Sequence, residues 1–247
     1  MASKVNHVAI ASDQYAINGR FYESLFGMKT SSKPRPARSV VLGDGYVGLN
    51  CIPRRDGRYS GLDHFGIEVD DLEDTIARIG KFDSSLSAVK RPPIRPFAAY
   101  SAHDPDTNIF DLSQKSIGFQ KDVYAENTGE TIAPRHISHI ALRTRHAERC
   151  AQFYTEVFGL TPLNRPKDEN FYLSDGRVTL MIIPWKIGDY YAQDPARTGL
   201  DHIGFKVESV EQLKKDMEFL IGENPPESEL SDRLERQRVF ADISWRS

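Results

Sequence analysis

The chain has 247 residues, 39% of them hydrophobic and 27% charged, with a formal net charge of −3. That is a globular balance with length enough for two ordinary domains, and so mild a charge, with no long basic run, argues against a nucleic-acid partner. Cys51 and Cys150 cannot build a disulfide framework, no apolar run approaches the ~20 residues of a bilayer span, and Met1–Lys4 lacks a signal pattern, so a cytoplasmic location and no membrane are expected.

Val5–Ile10 has strand composition. Tyr15–Phe26 is predicted as a helix, because Ile17, Phe21, Tyr22, Leu25 and Phe26 fall on one helical face. Gly27 suits the left-handed residue that ends it. Ser39–Leu42 and Tyr46–Ile52 are short predicted strands around Asp44-Gly45, a favoured two-residue hairpin turn, and Pro53 stops the run. A further strand covers Asp63–Val69 and a helix about Leu72–Ile79. Strands are predicted near Ala98–Ala102 and Ile109–Ser113.

The same series then recurs. Asn6-His7-Val8-Ala9-Ile10 matches Ser138-His139-Ile140-Ala141-Leu142. Phe21–Met28 matches Phe153–Leu160, and Leu42–Gly45 matches Leu173–Gly176. Gly61-Leu62-Asp63-His64 matches Gly199-Leu200-Asp201-His202. Phe110-Asp111-Leu112-Ser113 matches Ala241-Asp242-Ile243-Ser244. The second copy gains a loop around Ile187–Arg197 and loses a similar length after His202. The expected division is a first domain at 1–116, a polar linker at 117–134 and a second domain at 135–247. Each half-copy reads strand–helix–strand–strand–strand, so the fold class is α+β, with helices on one face of a mainly antiparallel sheet.

Strand side chains alternate between faces. Val8 and Ile10, Phe65 and Ile67, and Phe110 and Leu112 form the apolar side that helices should cover. His7, His64 and Asp111 point the other way, as do His139, His202 and Asp242 in the second copy. Two positions after each histidine stands a tiny residue (Ala9, Gly66, Ala141, Gly204), which suggests room over that face. A single strand histidine is ordinarily exposed or satisfied. Four of the seven histidines at equivalent strand positions, each copy closing on an aspartate, point instead to a metal.

These residues resemble the vicinal oxygen chelate superfamily, which includes glyoxalase I, bleomycin- and fosfomycin-resistance proteins and type I extradiol dioxygenases. The His-strand starts, the Phe-Tyr-x-x-x-Phe-Gly helix ends and Asp104-Pro105-Asp106-Thr107-Asn108-Ile109-Phe110-Asp111 carry the likeness. The last is similar to the family's Asp-Pro-Asp-Gly-Asn-x-x-Glu ending. The resemblance implies four βαβββ modules forming two cupped mixed β-sheets with helices outside, the fourth module shortened. It implies metal ligands at His7, His64 and Asp111, with His139, His202 and Asp242 as the alternative set. Where glyoxalase-like enzymes take a fourth ligand, the chain has Gly48 and Asn50, with Thr179 and Met181 in the second copy.

Two histidines and one carboxylate leave about three octahedral positions open, which suits non-haem Fe(II) binding substrate and O₂ together. Mn, Ni, Co and Zn suit the same donors. The expected activity is an Fe(II)-dependent extradiol-type dioxygenase acting on a catechol-like aromatic. His103 is the candidate acid/base, and Tyr100 a candidate hydrogen-bond donor to bound oxygen. The first copy is favoured because it keeps His103 and the Asp-Pro-Asp loop. A glyoxalase-type metal-dependent isomerase or lyase, and a non-enzymatic binder of a drug or metabolite, are the competing functions. Family modules combine across chains, so a homo-oligomer is compatible with all three.

Overall fold

The computed structural model describes residues 3–31, 39–92, 98–114, 127–164, 168–191 and 197–223. The first copy contains β1 (Lys4–Ser12), α1 (Tyr15–Phe26), β2 (Lys29–Thr30), β3 (Val40–Gly43) and β4 (Gly48–Pro53), followed by β5 (Gly61–Val69), α2 (Leu72–Phe82), β6 (Ala88–Lys90), β7 (Tyr100–His103) and β8 (Ile109–Gln114). The second contains β9 (His136–Thr144), α3 (Ala147–Phe158), β10 (Thr161–Pro162), β11 (Phe171–Ser174), β12 (Thr179–Pro184), α4 (Ile187–Tyr190), β13 (Gly199–Lys206) and α5 (Val210–Glu223). Among the described residues there are three complete βαβββ modules and the opening strand and helix of a fourth. The expected linker lies mostly outside the described residues, as does the strand expected at 241–244.

Helix ends follow local chemistry. Gly27 and Gly159 close α1 and α3 in the left-handed conformation, at φ 66° and 68°. Asp71 caps α2 by accepting from Asp74 N at 3.0 Å. The Asp44-Gly45 turn is longer than the two residues expected. It spans Asp44–Val47, because the Asp44 carboxylate accepts from both Tyr46 N and Val47 N.

The first copy forms one eight-stranded sheet in the order β2-β3-β4-β1-β5-β8-β7-β6, and the second a five-stranded sheet in the order β10-β11-β12-β9-β13. The modules of each copy meet through antiparallel pairing of their first strands, β1 with β5 and β9 with β13. This places both histidine strands of a copy side by side.

Val8, Ile10, Phe65, Ile67, Phe110 and Leu112 are fully buried on the helix side, as alternation requires. The helices lie outside each cup, and there they are shared between the two sheets. Phe153, Tyr154 and Phe158 of α3 pack on Phe110 of the first sheet. Tyr22 and Phe26 of α1 pack on Phe205 of the second. Burying one such ring contributes about 1.5–3 kcal/mol, so each copy completes the core of the other.

The joint has reciprocal polar fixings. Asp44 Oδ2 accepts from Ile137 N at 2.8 Å, and Asp175 Oδ2 accepts from Val5 N at 2.8 Å. The turn aspartate of each copy thus holds the other copy's first strand two residues before its histidine.

Candidate metal centre

His7 on β1, His64 on β5 and Asp111 on β8 come together as the alternation of side chains predicts. One ligand atom from each lies within 4.8 Å of the others. The His7 and His64 rings meet edge to face, with centroids 5.5 Å apart, and His64 Nε2 is 3.4 Å from Asp111 Oδ2. His7 is fully buried and Asp111 nearly so, while the His64 side chain keeps 14% of its surface exposed. Two imidazoles and a carboxylate at this spacing could hold a divalent metal.

The small residues act differently from the expectation that they leave open space. Antiparallel register sets His7 opposite Gly66 and His64 opposite Ala9. A Cβ on Gly66 would fall 2.1 Å from His7 Cε1, so the glycine is where the ring lies. The same pairing sets His139 opposite Gly204 and His202 opposite Ala141. A residue two positions beyond one histidine is the seat of the other strand's histidine.

Alternation missed the acceptors that hold these rings. His7 Nδ1 donates to Asn6 Oδ1 at 2.6 Å, and His64 Nδ1 to Asp63 Oδ2 at 2.7 Å. In the second copy His202 Nδ1 donates to Asp201 Oδ1 at 2.7 Å. His139 Nδ1 lies 3.2 Å from Ser138 Oγ, whose own proton goes to the Gly204 carbonyl. Each acceptor immediately precedes its histidine, and each stands at a break in strand register. Such a β-bulge re-aims a side chain that simple alternation would send to the far face. With Nδ1 committed as donor, Nε2 is the lone-pair nitrogen available to an ion. The signal in the sequence was the Asp-His pair recurring at 63–64 and 201–202. Ser101, also missed, donates to Asp111 Oδ1 at 2.6 Å from the paired position on β7.

Burial, and next the nearby His64, push the His7 pKa down to about 3, against the opposing pull of Asp111. A ring that stays neutral at every ordinary pH is suited to ligation. Asp63 is held below the usual carboxylate range, first by its hydrogen bond from His64.

The second copy presents a related pair. His139 and His202 stand edge to face at 5.1 Å, with their Nε2 atoms 3.1 Å apart. Both are half-buried. Asp242, the expected third ligand, lies outside the described residues.

Residues 136–242 match the Glyoxalase/Bleomycin resistance protein/Dioxygenase superfamily. That match covers the second copy of the repeat, from β9 onward. No curated protein matches the sequence. Among solved structures, a xylose isomerase-like TIM barrel/4-hydroxyphenylpyruvate dioxygenase fusion protein is similar, with 15% identity and a TM-score of 0.63 over 89% of this chain and 38% of that one. The chain therefore spans well under half of that protein's length. The Mn(II)-bound glyoxalase from Novosphingobium aromaticivorans has 18% identity and a TM-score of 0.60, over 87% of this chain and 69% of that one. The 2,3-dioxygenase LapB from Pseudomonas sp. KL28 has 16% identity and a TM-score of 0.62, over 90% and 80%. At such identities the likeness establishes the fold alone.

Two other expected site residues, Tyr100 and His103, fall on different faces. Tyr100 pairs with Leu112 and packs against the core, on the face opposite Asp111. The predicted strand at Ala98–Ala102 begins at Tyr100, and its pairing turns that ring away from the triad. His103 shares the cup face with Ser101, two residues or about 7 Å further along the strand. Its Nδ1 donates to the Asp104 carbonyl at 3.0 Å. The Asp-Pro-Asp loop itself ties the copies together. Buried Asp104 accepts from Tyr154 OH, and Asp106 accepts from Thr144 Oγ1 and His146 Nδ1. Among the described residues, no helix is long and apolar enough to cross a membrane.

Proposed function

We propose that the first copy binds Fe(II) through His7, His64 and Asp111, and that the protein is an extradiol-type dioxygenase opening a catechol-like small aromatic beside its two hydroxyls. The observation that carries this reading is the donor count. Two imidazoles and one carboxylate share a face, and the positions opposite His7 and Ala9 on β4 are Gly48 and Asn50. Without a strong fourth ligand, about three octahedral positions stay open, enough for two substrate oxygens and O₂. Bound iron would supply that chelation and the binding of O₂.

The chain's own residues do the rest. Asn6 and Asp63 orient the imidazoles, and Ser101 orients the carboxylate. Ala9, Ala11 and Val41, all buried, make the surroundings dry and strengthen electrostatic interactions inside. His103 is the proposed acid/base. Its Nδ1–H is engaged by the Asp104 carbonyl, leaving Nε2 to take or return a proton at a substrate hydroxyl.

One observation favours a second reading, a glyoxalase-type isomerase or lyase using Mn, Ni, Co or Zn. Asn50 is buried on the metal face opposite Ala9, where its amide oxygen could complete a four-donor set. Elemental analysis of protein purified without air, with O₂ uptake on a catechol panel, decides between them. Bound iron with uptake is expected. Bound Ni, Co or Zn with turnover that consumes no O₂ would establish the isomerase. No metal, with tight small-molecule binding, would establish a binder.

A further inference from the structure

We infer that the residue before each site histidine is a positioning residue for the metal, delivered to the ligand's side by a β-bulge, and that Asp63 is the principal one. This rests on the reading of the cup face as a metal site, and adds that residues behind the ligands hold them in place.

The register of each strand pair carries the argument. Val5 pairs with Ile67 and His7 with Gly66, so Asn6 is the extra residue between them. Ala9 pairs with His64 and Ile10 with Leu62, so Asp63 is extra on the partner strand. The second copy repeats both breaks, leaving Ser138 and Asp201 as the extra residues. Four bulges at four equivalent places each set an oxygen beside the Nδ1 of the next residue. A regular strand would send that oxygen to the helix side, where it would be buried among apolar residues.

The four acceptors are not equivalent. Asn6 is a neutral amide, itself anchored by donating from Nδ2 to Ser113 Oγ at 3.2 Å. Ser138 is a hydroxyl. Asp201 shares its carboxylate, with Oδ2 taken by Arg143 Nε at 2.7 Å. Asp63 gives its closest bond to His64 and faces Arg55 and Arg58 only at longer range. A carboxylate that accepts from an imidazole fixes the ring and makes its other nitrogen a better donor to a cation. Asp63 therefore contributes most, and His64, the half-buried ligand, has the most freedom to lose.

The test titrates metal-free, full-length protein with Co(II) without air, following visible absorption and the dissociation constant. Wild type is compared with Asp63→Asn, Asp63→Leu and Asp201→Leu. Asp63→Leu is expected to weaken binding roughly 10–100-fold. Asp63→Asn keeps an acceptor and is expected to fall between wild type and Asp63→Leu, a rescue that simple loss of packing would not give. Thermal midpoints of the metal-free proteins identify any variant that fails to fold. Wild-type affinity in both Leu variants overturns the inference. An effect in Asp201→Leu alone supports positioning and moves the metal to the second copy. Failure of wild type to bind Co(II) overturns the metal reading itself, a result distinct from loss of the positioning role.

Discussion

The two histidine pairs share one backbone plan and differ in what surrounds them. In both, antiparallel first strands seat each ring over a small residue of the partner strand, and a bulge supplies its Nδ1 acceptor. In the first copy the pair is joined by Asp111 and His7 is fully buried. In the second the rings are half-buried and their Nε2 atoms approach to 3.1 Å. Arg143 also lies on that cup face, bonded to Asp201, where the first copy has Ala11. Strand register thus hands down a histidine pair wherever the module is repeated. Among the described residues, the two pairs differ in the burial of their rings and in whether the acceptor aspartate also bonds an arginine, as Asp201 does and Asp63 does not at close range.

The largest expected effect comes from removing the carboxylate. Asp111→Ala should lower O₂-dependent turnover on the order of a thousandfold, because two histidines alone hold an ion poorly. His139→Gln should leave that turnover close to wild type, and equal losses in the two variants would break the comparison.

Gly66→Ala and Gly204→Ala sharpen it. The added Cβ would meet His7 Cε1 at 2.1 Å and His139 Cε1 at 1.8 Å. His7 has no room to yield, so Gly66→Ala should cost about 1–3 kcal/mol and displace the ligand. His139 is half-buried and can swing outward, so Gly204→Ala should cost less despite the closer approach. Urea midpoints measure both.

Acid should act on the buried ring. In the unfolded chain His7 takes a proton near pH 6.5, whereas folded it stays neutral to about 3. Over that interval the unfolded state binds more protons, so metal-free protein should lose stability as pH falls from 6.5 toward 3. His7→Gln should flatten this slope, and parallel slopes would contradict it.

The smallest effect concerns Thr107, a non-glycine residue at φ 67° in the Asp-Pro-Asp loop. Thr107→Gly relieves that strain and should raise stability by about 0.5–1 kcal/mol, net of the glycine's greater unfolded entropy. An unchanged urea midpoint would count against stored strain there.

The repeat, the module order and the triad were legible because they depend on residue identity and strand alternation. His7, His64 and Asp111 share a face for the same reason that Val8, Phe65 and Phe110 share the other. Asn6 and Asp63 were hidden because a bulge reverses alternation locally, and the recurring Asp-His pair was a hint to Asp63 alone. Tyr100 was misplaced for a related reason. Its face is set by pairing with Leu112, and cross-strand register is a tertiary property. The purpose of Gly66 and Gly204 was half legible. Their smallness signalled a close approach, but only the pairing reveals that the approaching group is the neighbouring histidine.

The most direct test of the central claim, that the first copy is the metal centre, is the iron content of His64→Ala and His202→Ala proteins purified without air. His64→Ala should lose its iron and His202→Ala should retain it. Iron kept by His64→Ala and lost by His202→Ala would contradict it.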